Sequence, residues 1–238
     1  MKKAVIICSG GCDSVTLLHW AKKQYDEIEA LTFDYGSKHN KREQEFAKYQ
    51  CDLLGIKHQI INLDFNSWGF KSNLLQNDLP IPEGHYATDN MKQTVVPYRN
   101  GIMLSIATGY ADSIGAEAVF LGSHRGDRAQ YPDCTTEFTQ AQSLATQLGT
   151  SSHIKVISPF NDLMKWDILK IGLKLGIDYS KTWSCYVGKE RPCLKCGTCV
   201  ERTESFYRNG SKDTLLTYKE WDDAVDYMKS VVTDLPKV

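Results

Sequence analysis

Ser9-Gly10-Gly11-Cys12-Asp13-Ser14 stands between the apolar run Ala4-Val5-Ile6-Ile7 and the segment Val15-Thr16-Leu17-Leu18. Two hydroxyls, paired glycines and a carboxylate at the junction of an expected strand and an expected helix are the materials of a phosphate site. Gly10 and Gly11 let the backbone approach a ligand and take positive φ. Ser9, Ser14 and the unpaired N–H groups of the helix start, where Cys12, Val15 and Thr16 continue the string, supply donors at a partly positive helix end. A plain strand-to-helix turn with Asp13 as N-cap is the competing reading of a Gly-Gly pair, but the whole string favours phosphate. No G-x-x-x-x-G-K-[ST] occurs, which argues against a lysine-bearing P-loop, and no G-x-G-x-x-G supports a dinucleotide fold.

Cys185, Cys193, Cys196 and Cys199 form a second constellation, spaced C-x7-C-x2-C-x2-C with Pro192 just ahead of its last three cysteines and Gly197 among them. Two C-x2-C steps let thiolates of one turn face a common tetrahedral centre, which suits Zn²⁺, and four sulfur ligands leave no open position for catalysis. A structural zinc is the expectation. An iron–sulfur cluster also takes four cysteines and is not excluded by spacing; a redox pair or four unrelated thiols are the weaker readings. Lys181, Lys189, Arg191, Lys195 and Arg202 surround the cluster and read mostly as a solvated basic rim. Cys8 reads as a small buried residue, Cys51 lies on a helix, and Cys134 sits in the stiff turn Tyr131-Pro132-Asp133-Cys134.

The elements that must position these groups alternate. Strands are expected at 4–7, 28–33, 57–63, 118–121 and 154–157. Helices are expected at 13–25, with Val15, Leu18 and the stems of Ala21 and Lys22 on the inner face, and at 41–54, where Gly55 stops the helix. Further helices are expected at 101–114, 137–148 and 165–175. Residues 64–94, with Pro80, Pro82 and Gly84, read as a long loop or lid. Such alternation predicts an α/β fold, a parallel doubly wound sheet with helices on both faces. The expected division is an ATP-binding α/β domain over 1–180 and a zinc-binding lobe over 181–238 packed on the same site. Ligands of such sheets bind beyond the C-terminal strand ends. There the clusters 9–14, 34–39, 122–127 and 158–165 should converge.

The bulk properties are ordinary. The 238 residues are 42% hydrophobic and 24% charged with net charge −1, and the pI is about 6.6, so no global nucleic-acid footprint exists and nucleic acid is not an expected partner. Met1-Lys2-Lys3 runs straight into the first strand, and no apolar stretch of ~18 residues could cross a membrane. A cytoplasmic location is expected, in which eight cysteines argue for metal or chemistry over disulfides.

The glycine string resembles the pyrophosphate loop of the ATP-pyrophosphatase superfamily, whose members activate a substrate oxygen by attack on the α-phosphate of ATP. Further strings narrow the resemblance: Thr32-Phe33-Asp34-Tyr35-Gly36 with His39, Val96-Pro97-x-Arg99-Asn100, Tyr131-Pro132-Asp133-Cys134, Asp178-Tyr179-Ser180, Thr182-Trp183-Ser184-Cys185-Tyr186, and Pro192-Cys193-x2-Cys196-x2-Cys199 with Arg202 beyond. Over nearly the whole chain these resemble the 7-cyano-7-deazaguanine synthases of queuosine biosynthesis, with an adenine-nucleotide α-hydrolase-like sheet. The chain departs from that family at Cys12, where Leu, Gln or Met is usual, at Ser37-Lys38, and across 64–94.

The resemblance implies ATP with Mg²⁺, a carboxylated deazaguanine and ammonia, converted to a nitrile, with a homodimer as the expected assembly. Ser9 to Ser14 would cradle pyrophosphate, with Asp13 near Mg²⁺; Asp34 and Tyr35 would touch adenosine. Arg99 and Lys165 would meet phosphate or carboxylate, or else form surface ion pairs. His124 and Asp127 would orient substrate or handle protons, though a structural histidine fits as well. Asp133 would read the pyrimidine edge, against an Asx turn after Pro132. Paralogues that stop at the amide or use another amine, tRNA thiolation enzymes, and a zinc-ribbon binding module are the rival readings. No glutaminase segment is recognisable, so free ammonium is the expected nitrogen donor.

Overall fold

The structure is a computed structural model that describes residues 1–75 and 77–235. Five parallel strands, β1 (Lys3–Ile7), β2 (Glu27–Asp34), β3 (Lys57–Asn62), β4 (Ala118–Phe120) and β5 (Lys155–Ile157), form one sheet in the order β3-β2-β1-β4-β5. β1 is central because its Ala4, Val5 and Ile6 are apolar on both faces and wholly buried, as a strand covered by helices on each side requires. Ile6 lies between Ala30 of β2 and Phe120 of β4.

Period-2 alternation sorts the strand residues into two cores. Val5, Leu31 and Val119 pack with Leu104 and Ala107 of helix α3 (Arg99–Ser113). Ala4, Ile6, Ala30 and Phe120 pack with Leu17 and Leu18 of α1 (Cys12–Ala21) and Ile168 of α5 (Lys165–Lys174). Helices α2 (Asn40–Leu54) and α4 (Thr136–Gly149) complete the flanks, and α2 ends at Gly55 as expected. A third core joins Val15 and Leu169 to Val200 and Phe206 of α6 (Gly197–Arg208) and to Trp221, Val225 and Met228 of α7 (Tyr218–Val231).

The chain builds β1, β2 and β3 outward, then crosses to β4 on the other side of β1. The switch point therefore lies between the C-terminal ends of β1 and β4, where a crevice must open.

Two expectations are corrected. The helix expected over 13–25 stops at Ala21; Lys22 is exposed instead of inward, because Lys22-Lys23-Gln24 offers nothing apolar to bury, while Tyr25 packs edge-on against Phe120 at 5.3 Å. The segment 64–94 is a loop but no free lid. It buries Phe65, Leu74, Leu75, Tyr86 and Met91, and it is pinned by backbone bridges Ser37–Leu75 and Glu83–Cys196. No helix among the described residues is long and apolar enough to cross a membrane.

Candidate active site

The glycine string follows β1 and is held by its own hydroxyls. Ser9 N–H donates to Ser14 Oγ (3.1 Å), Gly11 N–H to Ser9 Oγ (3.3 Å), and Ser14 Oγ to the Gly11 carbonyl (3.2 Å). Gly11 is the N-cap of α1 and no side chain caps it, so the first-turn N–H groups stay available to a ligand. Asp13 is thus not the N-cap; it sits in the first turn. Gly10 has φ +80°, and a Cβ there would lie 2.4 Å from the Glu43 carbonyl and 2.7 Å from Ala47 N. Close packing on α2, not contact with a ligand, demands this glycine.

Beyond the string opens a cleft of about 1030 Å³ including its mouth, lined by Ser9, Gly11, Cys12, Asp13 and Ser14, among others. Val15 and Thr16, expected at the ligand, face away from it. Val15 is wholly buried, and Thr16 Oγ1 bonds the Cys12 carbonyl and Tyr179 Oη, both at 2.7 Å. Helical geometry turns them to the opposite side of α1.

Lys165 opens α5 after β5 and reaches the cleft. Its Nζ lies 2.9 Å from Asp13 Oδ2 and 3.1 Å from Glu201 Oε2 of α6. Burial works against its charge, but Asp13 and Glu201 outweigh burial and hold its pKa well above the ordinary value. Burial likewise opposes the Asp13 carboxylate, and Lys165 and His124 overcome it to keep that pKa low. For Glu201 burial prevails and raises the pKa. His124 is buried, with Nε2 3.5 Å from Asp127 Oδ1, 3.7 Å from Glu201 and 3.9 Å from Asp13. Gly126 N–H donates to its Nδ1, which leaves Nε2–H facing the acids. Asp127 lines the cleft and accepts Tyr86 Oη at 2.9 Å; His124 stands behind it. Asp13 Oδ1 is buried and has no hydrogen-bond partner among the described residues.

The other end of the cleft is aromatic, with Tyr35, Tyr131 and Tyr186. Arg99 sits over the Tyr35 ring at 5.5 Å and donates to its Oη at 3.2 Å. Burial first, and the Arg99 charge second, depress His39 to about 3, whereas burial drives Glu43 up to about 8 against the pull of Arg99. Two further expected residues do not line the cleft. Asp34 is consumed by the turn after β2, accepting Gly36 N–H, Asn40 Nδ2 and Gln44 Nε2. Asp133 accepts Asn100 N–H at 2.8 Å and so caps α3; neither a base-reading carboxylate nor an Asx turn describes it.

The four cysteines Cys185, Cys193, Cys196 and Cys199 converge, their sulfurs all within 4.8 Å of one another. Cys193 and Cys199 Sγ are 3.9 Å apart, close to the ~3.8 Å edge of a tetrahedron with metal–sulfur bonds of ~2.3 Å. Cys193 N–H and Cys196 N–H donate to Cys185 and Cys193 Sγ, both at 3.3 Å. The donor set fits a structural metal. The cluster is tied to the glycine string: Trp183 N–H donates to the Gly10 carbonyl at 2.9 Å, and Arg202, paired with Asp213 at 2.6 Å, donates to Cys12 Sγ at 3.1 Å. Arg202 is therefore a buried brace, not part of a solvated rim. Glu201 and Glu43 were not singled out from sequence; the one signal for Glu201 was its place two residues past Cys199.

The family model described as queuosine biosynthesis protein QueC matches residues 3–210. The chain is 48% identical over 212 residues to a 7-cyano-7-deazaguanine synthase of Porphyromonas gingivalis, covering 89% of this chain and 96% of that one. It is 46% identical over 225 residues to a 7-cyano-7-deazaguanine synthase of Caldicellulosiruptor saccharolyticus, covering 94% and 98%. In fold it resembles the NMN synthetase of Francisella tularensis, with TM-score 0.51 at 12% identity over 99% of this chain and 89% of the other. A family model matched over most of the chain and relatives at 46–48% identity show the family: the chain belongs to the QueC family of queuosine biosynthesis proteins.

Proposed function

We propose that this chain converts 7-carboxy-7-deazaguanine and ammonia to 7-cyano-7-deazaguanine, adenylating first the acid and then the amide with ATP. The observation that carries the reading is Lys165, buried and charged between Asp13 and Glu201 at the edge of the glycine string. A fixed cation beside unpaired backbone N–H groups is what an α-phosphate under attack requires. Asp13, with Oδ1 free, is the carboxylate that would hold Mg²⁺, and Mg²⁺ bound with the triphosphate neutralises its charge. The aromatic end with Arg99 suits a planar base carrying a carboxylate.

The chemistry balances. A carboxylate oxygen bonds to the α-phosphorus and pyrophosphate leaves. Ammonia then forms the C–N bond, the C–O bond to AMP breaks, and one proton is released with the amide. A second attack, by the amide oxygen, expels pyrophosphate again; loss of the nitrogen's two protons and of AMP gives the nitrile. The four cysteines would hold zinc in a closed shell, so the metal contributes folding energy and no bound water. On this reading residues 1–180 carry the nucleotide and 181–238 form the zinc-bearing lobe.

Incubation with ATP, ammonium and the acid tests the proposal. AMP and the nitrile should appear without RNA. AMP that forms only with tRNA present, or no AMP, contradicts it.

A further inference from the structure

A second cavity, about 690 Å³ including its mouth, lies behind the charged cluster on the side away from the glycine string. Its lining alternates with that of the cleft along two segments, and one further residue lines both. Gly126 faces this cavity and Asp127 the cleft; Met164 and Trp166 face it while Lys165 between them faces the cleft; Tyr86 lines both. Only one layer of side chains therefore separates the two spaces. Its central member is Glu201, which lines the outer cavity and bonds Lys165 from behind. Gly126 keeps this wall thin, since a Cβ there would come within 2.9 Å of Glu201 Oε1.

The outer cavity suits a small cation. Glu201, Glu204 and Asp234 line it with one guanidinium, Arg208. That guanidinium is already engaged, with Nε 2.7 Å from Glu204 Oε1 and its plane over the Trp166 ring at 4.4 Å. Glu204 Oε2 stays open towards His85 Nε2 at 3.9 Å. Carboxylates beside the rings of Trp166 and Tyr86 are the surroundings that attract an ammonium ion. Nothing in the adenylation steps uses this space, yet the third substrate needs one. Once ATP and a planar base fill the cleft from its mouth, a nucleophile entering by the same route meets an occupied site, and water admitted with it would hydrolyse the acyl adenylate.

We propose that this second cavity is the entry vestibule for ammonium, which reaches the adenylated substrate past Tyr86. The proposal rests on the reaction proposed above. Ammonium gathers on Glu204 and Glu201, gives its proton to solvent water at the vestibule mouth, and passes as ammonia the wall at Tyr86, the residue common to both spaces.

Steady-state AMP release by the full-length protein, with ammonium, ATP and the acid varied in turn, tests it in Glu204→Gln and Ala87→Trp. The first removes a charge and keeps an acceptor for Arg208; the second plugs the mouth from an exposed turn. The ammonium KM should rise about fivefold or more in Glu204→Gln, as loss of one modest charge contact implies, and should rise in Ala87→Trp through the narrowed mouth. ATP and acid KM, kcat at saturating ammonium and the unfolding midpoint should match those of the unmutated protein. An unchanged ammonium KM in both variants, or a rise shared equally by ATP KM, overturns the vestibule. Absence of ammonium-dependent AMP release in the unmutated protein overturns instead the reaction on which it rests, so the two failures are read separately.

Discussion

The backbone N–H of Trp183 donates to the carbonyl of Gly10 at 2.9 Å, so the glycine string is fastened from outside by the residue two positions before the first clustered cysteine. Trp183 is held in turn by its Nε1 bond to the Cys185 carbonyl and by stacking on Phe46, with centroids 6.1 Å apart. Metal retention, string geometry and nucleotide affinity are therefore coupled through one short segment.

The coupling sets the first expected outcome. Cys196→Ser should lose the metal and the sharp unfolding transition of the surrounding segment together, because binding of a structural zinc is largely folding energy. Activity should fall with stability. Metal content and calorimetry on the same sample check this; a variant of undiminished stability that lost only turnover would mean that the metal acts in catalysis.

The two glycines should separate. Gly10→Ala places a Cβ 2.4 Å from the Glu43 carbonyl at φ +80° and should cost about 2–4 kcal/mol of stability. Gly11→Ala meets nothing closer than 3.3 Å; since Gly11 lines the cleft, it should cost much less stability than Gly10→Ala and weaken ATP binding. Denaturant melts set beside nucleotide titrations decide the matter, and equal destabilisation of the two would refute the assignment.

Lys165→Met strands the buried carboxylates of Asp13 and Glu201, so both stability and turnover should fall, turnover by roughly 100-fold or more. Adding Glu201→Gln removes one stranded charge and should restore part of the stability without restoring turnover. Recovery of kcat in the double variant would show that Lys165 serves only as a counter-charge.

The Glu43 carboxyl titrates near 8 in the folded protein against 4.5 ordinarily. A raised carboxyl pKa contributes stability that is complete below pH ~4.5 and lost as pH rises through ~8. His39, held near 3 against 6.5, acts on the other flank: its contribution is present above pH ~6.5 and lost as pH falls through ~3. Glu43→Gln should flatten the decline between pH 4.5 and 8 and leave the acid side unchanged. Melting midpoints across that range check the sign.

Much of this was legible in the sequence, for physical reasons. Apolar strands such as Ala4–Ile7 between helical repeats announce a parallel sheet, and the strand order then forces the clusters after β1, β4 and β5 to meet. The glycine string and the four cysteines carry their chemistry in local spacing. Glu201 and Trp183 were not singled out for their structural roles because each acts through a contact made only in the folded chain, with Lys165 and with Gly10. Asp34 and Asp133 misled because a carboxylate at a turn looks the same whether it serves a ligand or the N–H groups of its own turn or a neighbouring helix. Residues 64–94 have no apolar period, so the packing of Phe65, Leu74 and Leu75 into the core beside α3 has no sequence signature.

The most direct measurement follows the oxygen. With both carboxylate oxygens of 7-carboxy-7-deazaguanine labelled with ¹⁸O, two adenylations should leave one label in each AMP formed, two labelled AMP per nitrile, and none in pyrophosphate. Label recovered in water or inorganic phosphate, or unlabelled AMP, would contradict attack on the α-phosphate and with it the proposed use of this cleft.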